Sequence, residues 1–180
     1  MTPLALQENA ADFRLPGTDG KDHALADYAE APVLVVAWWC NHCPYVQAYE
    51  ERVIALQREF AGQGVRVVAI NSNSAQSHPQ DGFEAMIERA KAKGYNFDYL
   101  RDESQDVARA YGAQRTPEAF VFDAERRLRY HGGIDDSWDK PGGVTKRPLH
   151  DAIVTLLGGG EPNPPTSSVV GCTVKWNSQD

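Results

Sequence analysis

What this chain has little of narrows its class first. Three cysteines in 180 residues argue against a disulfide scaffold and leave two closely spaced thiols for catalysis or metal binding. Basic residues form no stripe: they are interleaved with acidic ones and the formal charge is −7, which excludes nucleic acid as the expected partner. No apolar run approaches the roughly 18–20 residues that span a bilayer. The opening MTPLALQENAADFRL has no basic n-region, no long apolar core and no small-residue cleavage site. The expectation is a soluble, cytoplasmic protein without a membrane partner. There is no internal repeat, no second Cys-x-x-Cys and no His-x-x-x-His.

What remains is ordinary globular composition, 42% hydrophobic and 24% charged, in a chain long enough for one domain with its own core. Residues 12–24, with Pro-Gly and Asp-Gly turn signals, predict an N-terminal hairpin. The run PVLVVAWW at 32–39 reads as a strand buried on both faces, central in a parallel or mixed sheet. From Pro44 the period changes. Val46, Tyr49, Val53, Leu56 and Phe60 step by three and four, which predicts a helix with one apolar face that ends at Gly62 and Gly64.

A second buried strand follows at 65–71, then a long polar loop, SNSAQSHPQDG, of the kind that often carries function. A helix is predicted through Phe83, Met86, Ile87 and Ala90, and a short strand at 97–100. The next helix should be N-capped by Asp102, with Gln105 three residues on and Gly112 past its end. EAFVFD and RRLRYHG predict an antiparallel hairpin, and a last helix opens at Pro148. The order is β-α-β-α-β-α-β-β-α, an α/β fold with one central sheet flanked by helices. Residues 1–157 form the domain, and 158–180 form a Gly/Pro-rich tail expected to pack on it, ending in the strand-like VVGCTVKW.

The chemistry lies in WWCNHCP at 38–44, where a buried strand hands over to an amphipathic helix. The free N–H groups and macrodipole of a helix's first turn favour a thiolate, the nucleophile of disulfide exchange. On this reading Cys40 opens the helix as the exposed attacking sulfur, and Cys43, one turn on, resolves the mixed disulfide. Pro44 is tolerated in a first turn because its missing N–H would be unpaired. His42, between the sulfurs, would stabilise the Cys40 thiolate further and make the pair more oxidising.

WWCNHC together with RTPEAFVFD at 115–123 resembles the thioredoxin superfamily. The extra αβ segment between 72 and 112 and the opening AADFRLPGTDGK are similar to its redoxin branch, which includes peroxiredoxins and the thiol-disulfide reductases of cytochrome maturation. The likeness spans about residues 10–157. It implies a thioredoxin-like fold and a thiol-disulfide oxidoreductase with catalytic Cys40 and Cys43. Trp39 would pack beside the pair, Pro117 would be a cis-proline shielding it, and Thr116 would dock extended substrate backbone. The implied partners are a disulfide-containing protein or small thiol substrate and a cellular thiol reductant, with no cofactor and no metal.

The departures matter as much. Peroxiredoxins carry a Pro-x-x-x-Thr-x-x-Cys frame; here the matching positions are Val33 and Ala37 counted from Cys40, or Val36 and Cys40 counted from Cys43. Efficient peroxidase activity is therefore not expected, and a peroxiredoxin-like antioxidant role is an alternative only. The buried aspartate of thioredoxins, six residues before the first cysteine, is Leu34, so Glu118 becomes the candidate base, against an edge-facing surface glutamate. Cys172 is either an extra resolving or regulatory thiol or an inert cysteine on a strand covering a sheet edge; the burial habit of free cysteines favours the second.

A copper or zinc site using His42, His131, His150 or Cys172 is a further alternative, as is a docking module without turnover. The segment around Trp138 reads as an exposed turn. Asp135 and Asp136 lack a calcium-loop frame, and His23, His78 and His150 read as surface residues.

Overall fold

A run of β-branched residues with no polar alternation needs apolar cover on both faces, and this need organises the molecule. The computed structural model describes residues 1–178. β1 (Arg14–Pro16) and β2 (Asp22–Ala24) form the antiparallel N-terminal hairpin. Then come β3 (Leu34–Trp38), α1 (Pro44–Phe60), β4 (Arg66–Asn71), α2 (Phe83–Lys93), β5 (Asp98–Arg101) and α3 (Asp106–Tyr111). The chain continues through β6 (Arg115–Thr116), β7 (Glu118–Phe122), β8 (Leu128–Gly132), α4 (Pro148–Leu157) and β9 (Cys172–Thr173).

The central sheet has the order β5-β4-β3-β7-β8. β3, β4 and β5 run parallel, and β7 and β8 add antiparallel. Strand alternation splits the core into two layers. Val33, Val35, Ala37 and Trp39 pack with Val46, Tyr49 and Val53 of α1, Met86 of α2 and Leu149 and Ile153 of α4. Leu34, Val36 and Trp38 face the other way, onto Phe13, Tyr28, Phe120 and the α3 residues Val107, Ala108 and Tyr111. Each fully buried aliphatic or aromatic side chain contributes about 1.5–3 kcal/mol, so a central position such as Val35 or Val36 has no tolerant face. No helix among the described residues is long and apolar enough to cross a membrane.

Two local details bear on the site, the first of which differs from expectation. α3 starts at Asp106, four residues after Asp102, with Gln105 at its N-cap in the left-handed region (φ 65°). Asp102 still caps this helix from upstream. Its buried carboxylate accepts from Ala108 N at 2.9 Å and from Ser72 Oγ at 2.7 Å, so the intervening turn exists to bring the carboxylate over the helix end. The second detail is the tail. His131 N donates to Pro165 O, Ser167 N to His131 O, and Val174 N to Gln114 O. Val174 is buried in the second core layer, so this segment crosses from the β8 edge to the far side of the sheet's carboxyl end.

Candidate active site

Parallel strands deliver their carboxyl ends to one side of a sheet, and an α/β protein builds its sites there. The last rung between β3 and β4 is Trp39 N donating to Ile70 O at 2.8 Å; the chain then leaves the sheet at Cys40. The helix does not begin there, as the sequence suggested. Cys43 is the N-cap (φ −70°, ψ 122°) and Pro44 is the first helical residue. Proline explains the shift: it disfavours helical backbone in the residue before it and suits the first helical position. Cys43 therefore takes the place at the helix terminus, and Cys40 lies in the loop ahead of it.

That loop is held by a residue the sequence did not single out. Asp81 is fully buried. One carboxylate oxygen accepts from Asn41 N at 2.7 Å and His42 N at 3.2 Å; the other accepts from Asn73 Nδ2 at 2.9 Å and meets His42 Nδ1. Asn41 is fixed further by Tyr99 OH, which donates to its Oδ1 at 2.9 Å, and by its own amide on Gln80 O. A long polar loop was the only signal pointing to this segment, and nothing in it distinguishes Asp81 from a solvated aspartate. The His42 ring stacks on His78 at 4.6 Å, so His78 is part of this loop pair and not an isolated surface histidine.

Cys40 and Cys43 are both 0% exposed, which corrects the expectation of an exposed attacking Cys40. Cys40 Sγ lies 3.4 Å from Thr116 Oγ1; Cys43 Sγ lies 3.3 Å from Thr116 O. The two thiols titrate in opposite directions. A hydrogen bond from Cys40 pulls Cys43 down, helped against burial by Cys172 and by the Val46 N–H of the first helical turn. Donating that bond, being buried and facing Asp81 push Cys40 up. These directions favour charge on Cys43, whereas the sequence reading placed the attacking thiolate on Cys40.

The opposite wall is the loop before β7. The Thr116–Pro117 bond is cis, and Thr116 is buried at the sulfurs. Glu118 is neither at the sulfurs nor on the surface. It is buried, accepting from Gln114 N at 2.7 Å and Arg115 N at 2.8 Å, and paired with His131 Nε2 at 2.7 Å. Its carboxylate shapes the loop and is committed there, which removes it as the base. Trp39 packs in the same core layer as both cysteines, its indole N–H donating to Tyr95 OH at 3.1 Å.

The third sulfur arrives from the tail. β9 pairs antiparallel with β6, Cys172 opposite Thr116 and Thr173 opposite Arg115, and Cys172 Sγ stands 2.7 Å from Cys43 Sγ as a free thiol. Cys172 thus lies on a strand that pairs with an edge, as expected, and in contact with Cys43. Burial and the neighbouring Cys43 push the Cys172 thiol up.

One ligand atom each from Cys40, His42 and Asp81 lie within 4.8 Å of one another. Asp81 is already engaged by four protein donors, so Asp81 and His42 form a hydrogen-bonded clamp beside Cys40. His131 and His150 are engaged elsewhere, on Glu118 and Glu59. The Trp138 segment is exposed at Asp136 and from Asp139 to Gly143, but it is anchored: Trp138 packs at a tilt on Tyr45 at 4.5 Å, and Asp135 accepts from Arg52 at 2.7 Å.

Comparison with known proteins agrees with this geometry. The family model described as AhpC/TSA family matches residues 6–131. A thiol-disulfide oxidoreductase ResA of Geobacillus thermodenitrificans is 28% identical over 130 residues, covering 71% of this chain and 69% of that protein. A hypothetical protein of Sinorhizobium meliloti superposes with a TM-score of 0.91 at 40% identity, covering 99% of this chain and 98% of that one. A protein of Geobacillus kaustophilus does so with a TM-score of 0.92 at 36% identity, over 98% and 94% of the two chains.

Proposed function

Because the chain belongs to the AhpC/TSA family and has a thioredoxin-like fold, we propose that it is a thiol-disulfide oxidoreductase whose dithiol centre is Cys40 and Cys43. The observation that carries this reading is the placement of Cys43. It is the N-cap residue of a 17-residue helix, Cys40 beside it holds its thiol below the ordinary range, and its sulfur lies 3.3 Å from Thr116 O.

In the reductive direction the Cys43 thiolate attacks a substrate disulfide, forming a Cys43–substrate bond and expelling the other half as thiolate. Cys40 gives up its proton, attacks the Cys43 sulfur and releases the remaining half. The protein is left with a Cys40–Cys43 disulfide, and two electrons have passed to the substrate. Cys40 is protonated until that moment, which keeps it from competing for the substrate. The named activity of the ResA relative supports the same class of substrate, a disulfide, with a thiol reductant to restore the pair.

The test is reduction of a low-molecular-weight aromatic disulfide by pre-reduced protein. Cys43→Ser should lower the rate on the order of a thousandfold, the loss of a covalent nucleophile. In the Cys40→Ser/Cys172→Ser double variant, mass spectrometry should find the substrate half held on Cys43. Full activity of Cys43→Ser, or a substrate adduct on another residue, would sink the assignment.

A further inference from the structure

The dithiol mechanism leaves one sulfur unused and one access problem unsolved. Cys40 and Cys43 are sealed, and the backbone edge of Thr116 is already occupied by the protein's own strand β9. Cys172 is only half-buried, yet its sulfur touches Cys43. Of the three cysteines it is the one that is not fully buried.

Its position is built in. Arg115 Nη1 donates to Gly171 O at 2.9 Å, Ser74 N to Lys175 O at 2.7 Å and Lys175 N to Asn73 Oδ1 at 2.8 Å. Gln105 Nε2 donates to Lys175 O at 2.9 Å. Gly171 lies so close to the loop before the cis-proline that a Cβ there would stand 2.3 Å from Thr116 O. Only a residue without a side chain lets the strand close on the sulfurs.

We propose that Cys172 is a third catalytic thiol, which takes over the disulfide from Cys40–Cys43 and presents it to a small thiol reductant at the surface. The proposal rests on the dithiol reading of Cys40 and Cys43. In the first step Cys172, as thiolate, attacks Cys43 Sγ. The Cys43–Cys172 bond forms, the Cys40–Cys43 bond breaks, and the electron pair goes to Cys40, which takes up the proton that Cys172 gave up. Nothing is oxidised or reduced overall.

In the second step a low-molecular-weight thiolate attacks the sulfur of Cys172, the half-buried residue of the pair, and expels Cys43 as thiolate, the leaving group that the helix terminus stabilises. A second thiolate then attacks the bound reductant sulfur, releasing a symmetrical disulfide and Cys172, which regains its proton. Two reductant thiols supply the two electrons. The relay gives the reductant a bond whose outer residue is only half-buried.

The experiment is disulfide mapping by alkylation and mass spectrometry across glutathione redox buffers, followed by timed re-reduction with glutathione. Wild-type protein should show a Cys43–Cys172 disulfide beside Cys40–Cys43. Cys172→Ser should show Cys40–Cys43 alone, re-reduced at least tenfold more slowly. Gly171→Ala keeps all three thiols but pushes the strand off, and should lose most of the Cys43–Cys172 species with a similar slowing. Absence of Cys43–Cys172 from wild-type protein at every poise, or wild-type re-reduction rates in both variants, overturns the relay. A Cys172→Ser protein that forms no Cys40–Cys43 disulfide overturns the dithiol reading itself, and the relay with it.

Discussion

Two buried carboxylates hold the two loops that meet at the sulfurs, and they use the same bonds. Asp81 accepts the backbone N–H groups of Asn41 and His42 and pairs with the His42 ring. Glu118 accepts those of Gln114 and Arg115 and pairs with His131. The difference lies in where each histidine sits. His42 is between the two cysteines, whereas His131 is on β8, stacked on Phe120 at 4.5 Å and away from the sulfurs. The Asp81 charge also reaches Cys40 and helps keep it protonated. One device thus serves shape alone on the Thr116 side and both shape and charge on the Cys40 side.

The largest test of this contrast is to remove each carboxylate. Asp81→Ala leaves two N–H groups, the Asn73 amide and His42 without their acceptor, and should cost about 3–5 kcal/mol by urea denaturation. Glu118→Ala should cost slightly less, about 2–4 kcal/mol, having one donor fewer. If Asp81→Ala loses under about 1 kcal/mol, water has replaced the clamp and the loop is not held as described.

The next effect concerns protons. The Cys40 thiol donates to Cys43 and favours its charged form. In Cys40→Ala the inflection of Cys43 thiolate absorbance should therefore move up, by about one to two pH units. The linkage has a definite sign. With its folded pKa held down, Cys43 contributes stability that is complete above the ordinary thiol value of about 8.5 and is lost as pH falls through the folded pKa. Wild-type stability should thus rise with pH up to that value more than that of Cys43→Ser. An unmoved inflection in Cys40→Ala would assign the shift to the helix terminus alone.

The smallest effect separates the two histidines. If His42 stabilises the reduced pair, His42→Ala should lower the reduction potential of the Cys40–Cys43 couple by about 30 mV, a tenfold change in equilibrium. His131→Phe should leave that potential where it was. Equal shifts in both would erase the distinction between the loops.

Much of this was legible along the chain. The run at 32–39, the stripe from Val46 to Phe60 and Thr116-Pro117 before a strand led to β3, α1 and the cis-proline loop. Glu118 stood out by lying next to that proline, but adjacency in sequence could not say which way the carboxylate turns. Cys40 and Cys43 could be named as a pair. Their roles could not, because the burial of Cys40 and the start of the helix at Pro44 depend on how the loop is clamped.

The sequence by itself determined the order of elements, the doubly covered central strand and the thiols at its carboxyl end. Those are consequences of periodicity and of neighbours within one helical turn. Only the tertiary structure decided that Cys43 stands at the helix terminus, that Asp81 holds its loop and that Cys172 lies against Cys43. Asp81 reaches Asn41 across 40 residues and Cys172 reaches Cys43 across 129. No local pattern encodes such contacts, because they exist only once the sheet has closed and the tail has paired with its edge.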